Sequence, residues 1–136
     1  MSISELLNYS YDKPKSNLLV NSTLDKKNIY ALNNATVLLP ALFFNSVFIF
    51  VSDTVSSGFT TTLPPKNLLD EYLINLIGVI PAGYVFTSTF INNSNYTQTL
   101  DTTGYTVLDP LINSLPSGKT RTLYILCGSS TYSIIG

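Results

Sequence analysis

Apolar residues recur along this chain at two periods. From Lys66 to Gly78 they fall at Leu69, Tyr72, Leu73, Leu76 and Ile77. The i, i+3, i+4, i+7, i+8 spacing lines one side of a helix and predicts an amphipathic helix over residues 66–77. Thr62-Leu63-Pro64-Pro65 leads into it, and proline suits a first helical turn because its missing N–H would be unpaired there anyway. Asp70 and Glu71 lie toward the positive end of the helix dipole, and Gly78 stands where a left-handed stop belongs.

Elsewhere the runs are short or alternate. Tyr84, Phe86, Ser88 and Phe90 share one side of a strand over residues 84–91, and Tyr96, Gln98 and Leu100 oppose Thr97 and Thr99 in the next. Further strands are expected over residues 36–39, 46–52, 59–63, 105–108, 121–127 and 131–135. Pro40 marks a break because it cannot donate to a ladder. Ser56-Ser57-Gly58, Thr103-Gly104 and Pro116-Ser117-Gly118-Lys119 read as turns, and Asn92-Asn93-Ser94-Asn95 as a hairpin loop. Short strands at this spacing predict an all-β domain over residues 31–136, a jelly-roll-like β-sandwich with one helix. Residues 1–30 mix Pro14 and several lysines with short apolar pieces. They read as an arm packing on its own domain or a neighbouring subunit, or as a loose terminus.

Composition narrows the function. Of 136 residues only 11% are charged, with net charge −1, no His, no Trp and one Cys; about 25% charge is ordinary. Polarity comes instead from 16 Thr, 16 Ser and 13 Asn. Cys/His metal sites, disulfide frameworks and His-based nucleophilic catalysis are excluded. Seven scattered cations make no nucleic-acid surface. From Asn28 to Ser52 there are 25 residues without a charge. Pro40, Asn45 and Ser46 interrupt the apolar part over residues 35–51, which fits two buried strands better than a membrane span.

The remaining motifs are weak. Gly118-Lys119-Thr120 lacks the glycine of a phosphate loop five residues earlier, where Asn113 stands, and precedes a strand; it reads as a turn. Asp101 and Asp109 flank one strand and could face one cleft as an acid pair, but Asp is common at turns. No spaced Asp loop for calcium is present. Sequons begin at Asn8, Asn21, Asn34, Asn92 and Asn95. No catalytic, metal or cofactor residue is assigned.

Over residues 62–126 the chain resembles small structural proteins of tailed phages, large DNA viruses and their satellites. The resemblance rests on Thr62-Leu63-Pro64 before the helix, Gly83-Tyr84-Val85-Phe86-Thr87-Ser88-Thr89-Phe90-Ile91-Asn92-Asn93, Thr97-Gln98-Thr99-Leu100, Gly104-Tyr105-Thr106-Val107, and Gly118-Lys119-Thr120-Arg121-Thr122-Leu123-Tyr124. It departs from the pattern in the step between Phe86 and Phe90 and in Leu123 for Phe. The resemblance implies a non-enzymatic β-sandwich module of the virion. It would be a homo-oligomer, a trimer by preference, in a capsid or fibre, touching other virion proteins or a host glycan. Surplus aromatic residues Phe43, Phe44, Phe48 and Phe50 are then expected between subunits. The alternatives are a carbohydrate-binding β-sandwich, drawing on nine tyrosines, and a membrane-anchored protein.

Overall fold

The computed structural model describes residues 28–136. Ten strands form two sheets: β1 (Asn28–Leu32), β2 (Thr36–Val37), β3 (Ser46–Phe50), β4 (Thr60–Thr62), β5 (Val85–Asn92), β6 (Gln98–Asp101), β7 (Tyr105–Val107), β8 (Ser114–Leu115), β9 (Thr120–Leu126) and β10 (Tyr132–Ile135). A short helix, α1 (Pro40–Phe43), and the longer α2 (Lys66–Ile77) interrupt them. The larger sheet has the order β1-β3-β5-β9-β10-β7 and the smaller β2-β4-β6-β8. Buried side chains from both sheets and from α2 join one core. Among the described residues no helix is long and apolar enough to cross a membrane.

The order of strands departs from the expected jelly roll, which is antiparallel. The first six strands alternate between the sheets. β1, β3 and β5 run parallel in one, and β2, β4 and β6 run parallel in the other. The chain therefore winds around the core three times in the same sense. The later strands close the winding: β8 pairs antiparallel with β6, β9 with β5, and β10 with β9.

Parallel winding stacks like on like. Tyr30 lies opposite Phe48, and Phe48 opposite Phe90. The three rings form an inward row, with centroids 5.7 Å and 4.9 Å apart. Phe50 packs on Phe59 and Phe90. α1 begins at Pro40, in a first-turn position, and sends Phe43 edge-on to Phe86.

α2 has the bounds expected. Gly78 ends it with φ 87°, its N–H bonding to the Ile74 carbonyl at 2.8 Å. Leu69 and Leu73 are buried, but Leu76 is exposed. The helix thus meets the core with a stripe narrower than its periodicity suggests.

Two expectations at the chain's bends are corrected. Residues 92–95 are not a hairpin loop, because β5 and β6 belong to different sheets; they carry the chain over a corner. β1 starts at Asn28, inside the expected arm of residues 1–30, while residues 1–27 lie outside the described part.

Candidate functional site

The four phenylalanines expected at a subunit contact are in the core of the single chain. Phe43, Phe48 and Phe50 are fully buried and Phe44 is 8% exposed. Stacking across the parallel strands and against α2 explains this: Phe44 meets both Tyr72 and Phe86. Their outward neighbours on β3, Val47 and Ile49, are only partly covered.

The corner after β5 holds a buried polar network. Asn92 Nδ2 donates to the carbonyls of Tyr96 at 2.7 Å and Leu115 at 2.9 Å. Its Oδ1 accepts from Ser94 N at 3.0 Å and Ser94 Oγ at 2.6 Å. The main chain of Asn92 bonds to Gly118 and Lys119. Gln98 Nε2 reaches Ser94 Oγ at 3.1 Å, and Gln98 Oε1 accepts from Phe59 N at 3.0 Å. Each buried polar group here has partners, as burial demands. The network ties both sheets together and offers no free group for chemistry. It also removes Asn92 as a glycosylation acceptor, leaving Asn34 and Asn95 exposed; Asn8 and Asn21 lie outside the described residues. The Gly118 turn, with φ 79°, links strands of different sheets and precedes β9, not a helix.

Asp101 and Asp109, the two carboxylates that could have shared a cleft, have separate partners. Asp101 Oδ1 accepts from Thr103 N and Oγ1, at 3.0 Å and 2.6 Å, and those bonds hold its carboxyl below the ordinary range. Asp109 lies 3.9 Å from Arg121. Among the described residues no three potential His, Cys, Asp or Glu ligands cluster.

A cleft of about 700 Å³ opens between α2, the loop after it, and the end of β9. Ile74, Val79, Ile80 and Pro81 form apolar walls, with Lys66, Asp70 and Cys127 at the polar end. Lys66 Nζ donates to Asp70 Oδ2 at 2.5 Å, one helical turn away, and Tyr132 Oη donates to Asp70 Oδ1. The Lys66 ammonium stands 5.5 Å from the centre of the Tyr132 ring. Partial burial opposes ionisation of Asp70, but its bonds to Lys66 and Tyr132 outweigh that and lower its pKa. Burial pushes the Tyr132 hydroxyl far up, with the Asp70 contact adding to it, and burial also raises the Cys127 thiol. A thiol held protonated is a poor nucleophile. The cleft's ionisable groups therefore satisfy one another.

Sequence reasoning missed this cluster. The i, i+4 spacing of Lys66 and Asp70 was available as a signal, but Tyr132 joins them from 62 positions away. The tyrosines do not assemble a sugar platform among the described residues. Only Tyr96 and Tyr124 are exposed, one after the corner and one on the larger sheet.

What the surface does offer is a neutral sheet face. Outward ladder positions of the larger sheet are Ile29, Ala31, Val47, Ile49, Val85, Thr87, Thr89, Ile91, Thr106, Thr120, Thr122, Tyr124, Leu126, Ser133 and Ile135. None is charged. Eight charged residues fall within 28–136, on loops, on α2, at the end of β6, or at the inward-phase Arg121 of β9.

No protein-family model, curated protein or solved structure matches this chain.

Proposed function

We propose that this protein is a non-enzymatic structural component of a viral particle, built as a homo-oligomer, most simply a trimer, within a capsid or fibre. One observation carries the oligomeric part. Twelve large apolar side chains are exposed among the described residues, against eight charged residues of any exposure. A domain that faces water alone keeps roughly 25–35% of its surface charged. An assembly dispenses with that charge wherever copies cover one another. The viral setting rests on the resemblance over residues 62–126, and contacts with other virion proteins belong to the same reading.

Size-exclusion chromatography with light scattering tests the assembly on the full chain. The expected mass is three times 14.9 kDa. A single species at 14.9 kDa across micromolar concentrations overturns the oligomeric reading.

A further inference from the structure

We infer that the outer face of the larger sheet is where copies of this chain meet, each face covered by the same face of neighbouring copies. This rests on the oligomeric reading above and names its contact surface.

Strands in parallel sheets read as continuous apolar runs because both faces are covered. β3, Ser46-Val47-Phe48-Ile49-Phe50, is such a run. Its inward phase is filled by Phe48 and Phe50, fully buried in the core. Its outward phase, Val47 and Ile49, continues into neighbours of the same kind. One row across four strands reads Ile29, Val47, Thr89, Thr122, and the next reads Ala31, Ile49, Ile91, Thr120. The face is open at its β1 edge, where Ile29 is 69% exposed, and on β9, where Tyr124 is 48% exposed.

A face with no ionic group can meet a copy of itself without stranding a desolvated charge. An anionic membrane or a nucleic-acid backbone requires cations that these positions lack.

Thr122 and Thr89 face each other at the centre, their hydroxyls 3.1 Å apart. Thr122→Lys places a charge there. A second variant, Thr89→Glu with Thr122→Lys, makes an opposite-charge cross-strand pair that a lone sheet tolerates. Light scattering on the full-length variants should show single chains where the wild type is assembled, with apparent Kd raised at least about a hundredfold. Circular dichroism should report a native fold in both, and Asn75→Lys, exposed on α2, should leave assembly unchanged. A monomeric wild type overturns the oligomeric reading itself. An assembled wild type whose folded Thr89→Glu, Thr122→Lys variant keeps the wild-type mass leaves that reading standing and overturns this one.

Discussion

On the inner face of the larger sheet stand Phe48, Phe50, Phe86, Phe90, Leu123, Ile125 and Ile134, all essentially without solvent contact. On the outer face, alternate residues of the same strands are Val47, Ile49, Thr87, Thr89, Thr122 and Tyr124, partly or fully open to solvent. The inner set is large and mostly aromatic, locked by ring contacts. The outer set is smaller, mostly β-branched and smooth. Ser88 and Asn92, which enter the inner side, are bonded within the chain. The two faces divide the labour: the inner one carries the core, and the outer one is held by little more than strand pairing and the Thr89–Thr122 hydroxyl contact.

The sharpest way to break this comparison is to alter adjacent residues of β5. Phe90→Ala removes a ring that stacks on Phe48 and Phe50, and should cost about 3–5 kcal/mol. Thr89→Ala, one residue along and on the outer face, should cost no more than about 1 kcal/mol. Urea denaturation of both variants reads the difference directly. Equal losses would show that the outer face also holds the fold together.

A smaller effect is expected at the corner. Asn92→Ala leaves the Leu115 and Tyr96 carbonyls and the Ser94 donors short of their partner. Loss of stability by about 2–4 kcal/mol follows from burying unmatched polar groups. The same denaturation series checks it, and a neutral result would mean that water replaces the carboxamide at the corner.

These predictions also mark what could be read before the fold was known. α2 was legible because its signals are local: the proline lead, the spacing of Leu69 and Leu73, and Gly78 at its end. The inward phase of β5 was legible too, since alternation is a property of the strand alone. Pairing was not, because alternation is the same in parallel and antiparallel sheets. The parallel winding brings β3 to β5 across an intervening helix. The phenylalanines of β3 looked surplus because both phases of that strand are apolar, and only the row Tyr30, Phe48, Phe90 decides which phase is inside. Asn92 looked like a turn residue because its side chain suits turns, and its use as a tie between sheets depends on Leu115. The cleft's cluster draws on α2 and β10, so no window of sequence contains it.

The smallest effect concerns pH, and it separates the two faces in another way. Asp70, paired with Lys66 and Tyr132, titrates below its ordinary 3.8 in the folded chain. Its contribution to stability is therefore present above that value and is lost as pH falls through the lowered folded pKa. Tyr132 has the opposite sign. Its hydroxyl, raised above its ordinary 10.0 by burial and by Asp70, favours the folded state below that pH. The advantage declines as pH rises beyond it, because only the unfolded chain then gives up the proton. Asp70→Asn should flatten the acid limb, moving Tm at neutral pH by no more than about 4 °C, since the pair is partly exposed. The outer face has no carboxylate or amine at its ladder positions. Assembly measured by light scattering should accordingly stay level from roughly pH 5 to pH 9, in wild type and Asp70→Asn alike. A steep change of oligomer mass within that window would put a titrating group at the contact, and so move the contact away from the sheet face toward the charged surface around α2.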